Sequence, residues 1–455
     1  MLAILCLYVL AQLVLGLWIA RRVRTEDDYL VAGRRLGPVL AISSMFATWF
    51  GAESCIGAAG AVYEEGAGLH SVEPFAYGMC LVLLGAVFAA RLWRAGITTL
   101  ADLFQQRIGG STATIAAVLM VPTSLLWAAA QVRAFGHVVA VNSGGLLGEE
   151  AALAAAALVV VLYTGAGGLL ADVVTDLVQG VLLVLGLVLL LGAVVWALGG
   201  PAAAVEAAQA LPERAPAEPL GGLELLELWA IPLCGSVVAQ EAIARALAAR
   251  SPGLARTAGI AGGGLYLLIG LVPVALGLLG PLLVTDLGDA EQLLPTLARD
   301  HAPGIVHVLF TGALVSAMLS TVDSSLLAAS SVLTRNLVVR QRPLSPEARL
   351  RTARLSAVAC GLAAWALAHL GDGVSDLVEQ ASGFGSAGIF VVMLAALYGR
   401  GVPPRAANLA MLGGVSAWVL GSYVFDGPLP YLGSLAAAAG GLGLGLLLPR
   451  RGAKA

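Results

Sequence analysis

The stretch Ala47-Thr48-Trp49-Phe50-Gly51-Ala52-Glu53-Ser54 places a glycine and a carboxylate in the middle of an apolar run over residues 39–61. Irregular backbone at membrane depth is tolerated only where it is buried in protein or lines a cavity. A second interruption, Trp229-Ala230-Ile231-Pro232-Leu233-Cys234-Gly235-Ser236, occurs five predicted spans later. We interpret the two as equivalent points of an inverted five-plus-five repeat, with broken core helices 1 and 6. The simpler explanation is that Gly and Pro are common in membrane helices.

The composition of the chain indicates a membrane protein. Of its 455 residues, 59% are hydrophobic and 12% are charged, with a mean hydropathy of +0.90. Soluble domains carry about 25% charged residues, so a soluble globule is excluded. The net charge of -3 without a basic tract gives no sign of nucleic-acid binding. No Walker sequence occurs and no loop is long enough for a nucleotide-binding domain, which argues against ATP-driven transport.

The apolar stretches between charged or Gly/Pro-rich breaks predict an all-α membrane protein with about thirteen transmembrane helices. We predict one transmembrane domain over 1–455, with a leading helix at 1–20, a core at 39–398 and two additional helices at 404–448. The predicted spans are residues 2–20, 39–61, 72–92, 113–140, 149–164, 170–196, 223–245, 257–283, 304–334, 353–370, 375–398, 404–424 and 430–448.

The basic residues set the predicted orientation, because cytoplasmic loops are enriched in Lys and Arg. With the N-terminus outside and the C-terminus cytoplasmic, every Lys and Arg except Arg133, Arg214 and Arg299 falls in a predicted cytoplasmic segment. Arg245 is among these topology signals, at the end of the seventh predicted span. We expect a multi-pass protein of the cell (inner or plasma) membrane.

The segment Ala317-Met318-Leu319-Ser320-Thr321-Val322-Asp323-Ser324-Ser325 brings hydroxyls and a carboxylate into the span at 304–334. Helical spacing puts Ser320, Asp323 and Ser324 on one face. A carboxylate inside a span costs roughly 2.5–3.5 kcal/mol unless it is paired or hydrated. Such hard oxygen ligands suit a small cation such as Na⁺, although hydroxyls alone can also bond back to the preceding turn.

Two further acids occur near the cytoplasmic start of the span at 170–196. Asp172 can serve as a helix cap or reach the membrane surface. Asp176 lies one turn deeper and is the better candidate for a cation ligand.

Four features occur in the order and spacing of a known family. They are the segment 33–38, the acid Asp176, the segment 240–245 and the Ser320–Asn336 stretch. In these features the chain resembles the sodium:solute symporter family, which implies the five-plus-five inverted-repeat fold. The resemblance implies a principal Na⁺ site of two carbonyls from core helix 1 and a carbonyl and two hydroxyls from core helix 8. The matching residues are Ala47, Phe50, Ala317, Ser320 and Thr321.

Some family members have a second, more cytoplasmic Na⁺ site. The matching positions here are Asp176, Ser320, Asp323 and Ser324. Asp323 stands where some members have a hydroxyl, which either strengthens this site or makes it a proton acceptor.

Candidate solute-binding residues surround the breaks of the core helices: they are Trp49, Glu53, Trp127, Gln131, Gln240 and Phe384. Two tryptophans facing a cavity can hold a methylated ammonium group by cation–π contact, worth about 0.5–2 kcal/mol each. Glu53 can neutralise an amine, pair with Arg133, or lie at the outer mouth in water.

The stretches 47–49, 102–106 and 127–130 look similar to the choline-transporter branch of the family. That branch has an aromatic residue just before the glutamine of core helix 6, where this chain has Ala239. The proline-transporter branch instead has an aspartate at the position of Trp49.

From these features we expect a sodium-coupled symporter, not an enzyme, that imports a small polar organic solute (an amino acid, a betaine or a choline-like amine) by alternating access. Na⁺ is the expected co-transported ion, and no organic cofactor is expected. The expected partners are the solute and the lipid bilayer, without nucleic acid or an obligatory protein partner. Two alternatives are a proton-coupled symporter of a small carboxylate or amino acid, and a sensor or channel with this fold that does not accumulate solute.

Overall fold

The computed structural model describes residues 2–143, 146–212, 214–216, 219–285, 287–340, 344–369 and 373–448. Across these ranges the chain is helical, apart from turns, loops and one isolated bridge between Leu36 and Ala249. The predicted cytoplasmic tail at 449–455 lies outside the described residues.

The helices in the first half of the chain include the longest in the protein. They are α1 (Leu2–Ala20), α2 (Glu26–Val31), α3 (Pro38–Trp49), α4 (Ala58–Glu65), α5 (Phe75–Leu83), α6 (Ala90–Arg94), α7 (Leu100–Arg107), α8 (Gly110–Asn142), α9 (Glu149–Ala197) and α10 (Pro201–Gln209).

The helices in the second half alternate between long continuous rods and short paired pieces. They are α11 (Gly222–Ala230), α12 (Gln240–Ala248), α13 (Pro252–Leu279), α14 (Leu293–His301), α15 (Gly304–Val332), α16 (Pro346–Leu367), α17 (Val374–Gly383), α18 (Ser386–Tyr398), α19 (Pro404–Val419) and α20 (Pro430–Leu447). Turns of π-helix continue several helices, at Glu53–Gly57, Leu84–Ala89, Ile231–Gly235, Leu333–Val339 and Leu420–Val424.

The lengths and composition of these helices fit a membrane protein. Among the described residues, seven helices are long and apolar enough to cross a bilayer, and up to ten are if each bent pair is one span. This confirms the prediction of an all-α multi-span protein. Each predicted stretch coincides with a helix, while the exact count of thirteen and the inverted repeat stay predictions.

Three spans are sharply bent. The bend is 65° between Pro38–Trp49 and Glu53–Glu65, and 47° between Gly222–Val238 and Gln240–Ala248. The first bend lies within the interruption predicted at 47–54, whereas the second lies at Ala239, just after the interruption predicted at 229–236. A third bend of 40°, between α17 and α18, is not predicted from the sequence. It follows from Gly385, which takes a left-handed conformation with φ of 67°.

Gly168 divides the long helix α9 into the two predicted spans at 149–164 and 170–196. Its φ of 61° and ψ of 179° interrupt an otherwise continuous helix. That region of backbone space is almost restricted to glycine. A Cβ at this position would also lie 2.5 Å from Cδ2 of Tyr29, so the packing of α2 against α9 requires a residue without a side chain.

We therefore expect Gly168→Ala to lower the melting temperature of the purified protein, because both the backbone and the contact with Tyr29 become strained. The backbone cost alone is about 1–3 kcal/mol. Gly192→Ala is the matched control, because it lies in the same helix and a Cβ added there would meet no heavy atom within 4 Å. Equal melting temperatures for the two variants in one detergent would contradict this explanation.

Candidate functional site

The break in core helix 1 opens the backbone beside several polar side chains. Helix α3 ends at Trp49, and Phe50 has non-helical torsions of φ -90° and ψ 77°. The last carbonyl groups of a helix have no partner within it, so those near this end are available to a ligand. The backbone N–H of Ala52 donates a hydrogen bond to Oε1 of Gln131 at 2.9 Å.

Gly51 allows two polar side chains to converge on the break. A Cβ at this residue would lie 2.7 Å from Oε2 of Glu53 and 2.8 Å from Oε1 of Gln131. Any larger residue would have to displace both groups. The glycine noted in the sequence is thus required by close approach of side chains to the backbone.

Glu53 lies in the protein interior, not in water at the outer mouth. It is 3% exposed, and Nε2 of Gln131 donates to its Oε2 at 2.7 Å. Its Oε1 is buried and has no hydrogen-bond partner among the described residues. Arg133 was the other partner considered for Glu53. Its Nη1 donates a hydrogen bond to the carbonyl oxygen of Ala368 at 3.2 Å.

Three aromatic rings pack against one another at the break in α3. The ring centroids of Trp49 and Trp127 are 5.3 Å apart, and Tyr77 meets Trp127 edge-on at 6.0 Å. Trp127 and Gln131 are one turn apart on α8 and therefore share a face. The hydrogen bond from Gln131 therefore joins Glu53 to the face of α8 that carries Trp127. Sequence reasoning missed Tyr77, which carries no signal beyond being an aromatic residue in an apolar span.

A cavity of about 240 Å³ leads to this group from the predicted outer side. Its lining includes Glu53, Tyr77, Glu65, His70 and Pro232. Small-molecule pockets usually measure about 300–1,000 Å³, so this space suits a small solute.

Serine side chains join the other two breaks to the aromatic group. The Oγ of Ser382 lies 3.2 Å from the Tyr77 hydroxyl and accepts a hydrogen bond from Ser236 at 3.1 Å. A Cβ at Gly235 would lie 2.2 Å from the carbonyl oxygen of Ser382, so glycine lets the two broken helices touch. These serines were not among the predicted site residues.

Two of the predicted solute-binding residues have other partners. The amide of Gln240 accepts from the N–H of Leu100 at 2.9 Å and donates to the carbonyl of Thr98 at 3.2 Å. The ring of Phe384 packs edge-on against Trp418 at 5.8 Å. Among the six candidates, the contacts pair Trp49 with Trp127 and Glu53 with Gln131.

Asp176 links three helices on the other side of the break. Its Oδ2 accepts a hydrogen bond from Ser44 of α3, and its Oδ1 accepts one from Ser320 of α15, each at 2.5 Å. A hydroxyl has one proton to donate and two lone pairs. Because Ser320 gives its proton to Asp176, its lone pairs are directed to other partners.

Thr321 is the clearest unpartnered group of this region. Its Oγ1 is buried and has no hydrogen-bond partner among the described residues. Ser324 and Ser325 on the same helix bond back to the carbonyls of Ser320 and Thr321, at 2.7 and 2.9 Å. The simpler explanation for a hydroxyl in a membrane helix therefore applies to those two serines and not to Thr321.

Arg245 is a correction to the sequence analysis, which counted it as a cytoplasmic topology signal. Every residue of α12 is buried, and Arg245 is among the largest fully buried side chains. Its Nη2 donates to Oδ2 of Asp172 and to Oγ of Ser324, and it lies 3.9 Å from Oδ2 of Asp176. Asp172 is equally buried, so its partner is this guanidinium and not the membrane surface.

Comparison with known proteins identifies the family. A model of the sodium:solute symporter family matches residues 29–414. The chain belongs to this family.

Relatives of this sodium:solute symporter family member include transporters with different solutes in their names. It is 27% identical over 461 residues to the high affinity choline transporter 1 of Homo sapiens, covering 94% of this chain and 78% of the relative. It is 30% identical over 335 residues to the sodium/pantothenate symporter of Haemophilus influenzae, covering 70% of this chain and 68% of the relative. The family and these relatives are transporters, not enzymes.

Solved structures show the same fold. A Na⁺-coupled sialic acid symporter in a substrate-bound, outward-open state aligns with a TM-score of 0.83 and 18% identity over 98% of both chains. A nucleobase-cation-symport-1 family transporter aligns with a TM-score of 0.62 and 15% identity over 92% of both chains. At these identities the likeness concerns the fold alone.

In this family member, a second polar network lies on the predicted cytoplasmic side. Asp102, which caps α7, accepts from Nε of Arg335 at 3.0 Å and from Nδ2 of Asn336 at 2.9 Å. Oδ1 of Asn336 accepts from Thr99 at 2.8 Å, and Arg335 lies 3.7 Å from Glu26. These hydrogen bonds join two of the segments that resemble the family, namely 102–106 and the end of the Ser320–Asn336 stretch.

Proposed function

We propose that this protein is a sodium-coupled symporter that imports a small organic solute with a positively charged amine or methylated ammonium group. The observation that carries this proposal is the pair of buried tryptophan rings at the break in α3, together with the buried Glu53 carboxylate, whose Oε1 has no hydrogen-bond partner among the described residues. Na⁺ entering down its gradient supplies the energy, and alternating access moves both species across the membrane.

The solute site is built from Trp49, Trp127, Tyr77, Glu53 and Gln131. Aromatic faces attract a cation that has shed its water, and Oε1 of Glu53 offers a negative partner at the same place. Gln131 holds the carboxylate in position through its other oxygen. Gln240 and Phe384 are left out of the proposed site because their side chains have the structural contacts described above.

The name of the human relative supports a cationic solute, since choline is a quaternary ammonium ion. The aromatic set is not identical to that of the choline-transporter branch, because Ala239 is the residue before Gln240. An amino acid or a betaine, which also carry a positive nitrogen, therefore remain within the proposed class.

For the driving ion we propose a site formed by the carbonyls of Ala47, Phe50 and Ala317 and the hydroxyls of Ser320 and Thr321. The structure supports it through the unpartnered Thr321 hydroxyl, the helix end at Trp49, and the orientation that Asp176 gives to Ser320. Hard oxygen ligands of this kind suit a small, weakly polarisable cation.

The proposed sites share one element, which provides the coupling. Ala47 and Phe50 flank Trp49 in sequence, so a cation that holds their carbonyls also fixes the indole of the solute site. By thermodynamic reciprocity, each ligand raises the affinity of the other by the same factor.

A thermal-shift panel tests this function directly. Choline, betaine, amino acids, pantothenate and sugars would each be added to the purified protein in Na⁺ and in K⁺. We expect an amine or ammonium solute to stabilise the protein only in Na⁺, by about 2.7 kcal/mol at a concentration of 100 times its Kd. Stabilisation by a carboxylate without a positive nitrogen would contradict the proposed class.

Proton coupling is a second candidate, favoured by the buried carboxyl groups of Asp172, Asp176 and Asp323. Buried carboxyl groups in transporters often serve as proton relays. In that case the solute would stabilise the protein equally in Na⁺ and K⁺, and the Na⁺ dependence expected above would be lost.

We expect Thr321→Ala to weaken the affinity for Na⁺ by about tenfold or more, since a hydroxyl bound to a charged partner contributes about 1.5–3 kcal/mol. The measurement is the Na⁺ concentration that gives half of the thermal stabilisation. Thr311→Ala is the control, because the Thr311 hydroxyl on the same helix bonds back to the carbonyl of His307 at 2.9 Å. Equal Na⁺ affinities in both variants would overturn the assignment of Thr321.

We expect Trp127→Leu to weaken solute binding by about 2- to 30-fold, the equivalent of one cation–π contact of about 0.5–2 kcal/mol. Binding would be measured by isothermal titration in Na⁺ with the solute found in the panel. Trp196→Leu also removes an indole, but from a side chain that is 83% exposed, and it should leave affinity unchanged. A Trp127 variant with wild-type affinity would exclude the ring from the solute site.

A further inference from the structure

Uncharged polar side chains are buried where the leading helix α1 packs against α9 and α15. Gln12 of α1 is 5% exposed and Gln179 of α9 is 1% exposed. Oε1 of Gln12 and both amide atoms of Gln179, Oε1 and Nε2, have no hydrogen-bond partner among the described residues. Buried polar groups in native proteins are nearly always hydrogen-bonded, because leaving one unpaired is costly. Three such atoms on neighbouring helices therefore indicate a ligand.

Hydrogen bonds join α1 to α15 and determine which atom of Gln12 is free. Ser316 gives its single proton to the carbonyl oxygen of Gly312 at 2.7 Å, so the Tyr8 hydroxyl is the donor in its hydrogen bond with Ser316. With its proton used in this way, the Tyr8 hydroxyl can only accept from Gln12. Nε2 of Gln12 donates to it at 3.1 Å, which leaves Oε1 of Gln12 as an unpaired acceptor.

Two contacts fix the register of α9 against α15. The carboxylate of Asp176 accepts a hydrogen bond from Ser320. Two turns further along α9, Cδ2 of Leu182 lies 3.6 Å from the point that a Cβ of Gly312 would occupy. Because a later residue of α9 is paired with an earlier residue of α15, the two helices run antiparallel.

This register places Gln179 opposite Ser316. In sequence Gln179 is midway between the two α9 residues of these contacts, and Ser316 is midway between the two α15 residues. Residues three or four apart lie on one face of a helix, so both side chains belong to the faces that meet. The free amide of Gln179 is therefore at the level of the hydroxyl that binds Tyr8.

Four oxygen atoms meet at this level: the amide oxygens of Gln12 and Gln179 and the hydroxyl oxygens of Tyr8 and Ser316. Each hydroxyl oxygen retains one lone pair after the hydrogen bonds described above. All four atoms are hard, neutral ligands. Divalent ions are usually held by carboxylates, so this set suits a monovalent cation. Nε2 of Gln179 can donate to a water molecule in the ion's coordination shell.

The neighbouring charges favour a cation at this position. Gln179 is one turn from Asp176, which belongs to a buried cluster with Asp172, Asp323 and Arg245. The cluster contains three carboxyl groups and one guanidinium. Each carboxylate beyond the one that the guanidinium compensates attracts a cation nearby, and the attraction is stronger in the protein interior than in water.

We propose that Gln12, Gln179, Tyr8 and Ser316 form a second Na⁺ site, between the leading helix and the core. It shares no ligand with the site proposed for the driving ion. The choice of Na⁺ as the ion rests on the proposed sodium coupling. The site gives the leading helix a function, because α1 supplies two of the four ligands.

Equilibrium binding of radioactive sodium to the purified full chain tests the second site. We expect two Na⁺ per polypeptide in the wild type. In the concentration range that saturates the wild type, Gln179→Met and Thr321→Ala should each bind one. One Na⁺ in the wild type, or two in Gln179→Met, would overturn the second site while leaving sodium coupling intact. No Na⁺ binding in the wild type would overturn both proposals, so the two failures are distinguishable.

Melting temperatures separate ion binding from a structural role of the amides. Methionine is close in length and shape to glutamine, so Gln179→Met and Gln12→Met fill the same space without the amide oxygen. In caesium chloride, whose cation is too large for the site, we expect Gln179→Met to melt no lower than the wild type, because its amide has no partner to lose. Sodium chloride should then raise the melting temperature less in both variants than in the wild type.

Gln209→Met is the matched control, because Gln209 is an exposed glutamine on α10. It should bind two Na⁺ and show the full stabilisation by sodium chloride. If Gln179→Met melts lower than the wild type in caesium chloride and shows the same stabilisation by sodium chloride, the amide has a structural partner and the second site is wrong.

Discussion

The end of α3 at Trp49 is the constraint on which both proposed sites depend. A helix that stops inside a membrane leaves carbonyl groups without partners, and that cost is acceptable only where a ligand or the protein itself supplies them. In this protein Gly51 lets the side chains of Glu53 and Gln131 approach the broken backbone. Gln131 accepts a hydrogen bond from the backbone N–H of Ala52. The same break lies between the aromatic group and the hydroxyls of α15. In the proposed mechanism, this single interruption therefore supplies groups to both the ion site and the solute site.

Buried charge is the second constraint. Acidic side chains in the interior are paired with Arg245 of the same chain. Helices α3, α12 and α15 meet α9 around Asp176, which accepts hydrogen bonds from Ser44 and Ser320 and lies near Arg245. A carboxylate that has three partners on three other helices senses the arrangement of all of them. Movement of any one helix changes its environment, which is a physical basis for coupling ion occupancy to conformation.

Much of this could be predicted from local sequence patterns. Apolar runs indicate the helical class, the glycine within 47–54 marks the first break, and the proline and glycine within 229–236 lie just before the second, at Ala239. The break at Gly385 was missed because glycine is common in membrane helices, and its left-handed torsions leave no separate signal in the sequence. Tyr77 was missed because its role arises only from its position against Trp127. Arg245 was misassigned because, in sequence, a buried arginine near a span end cannot be distinguished from one in a cytoplasmic loop.

The central claim is that the protein uses a Na⁺ gradient to accumulate a small amine or ammonium solute. It is tested most directly by uptake into proteoliposomes with an inward Na⁺ gradient and no other ion gradient. The account predicts that the internal solute concentration rises above the external one and falls back when a sodium ionophore is added. Equilibration without accumulation would indicate a channel or sensor, and accumulation driven by a pH gradient in Na⁺-free buffer would indicate proton coupling; either result would contradict it.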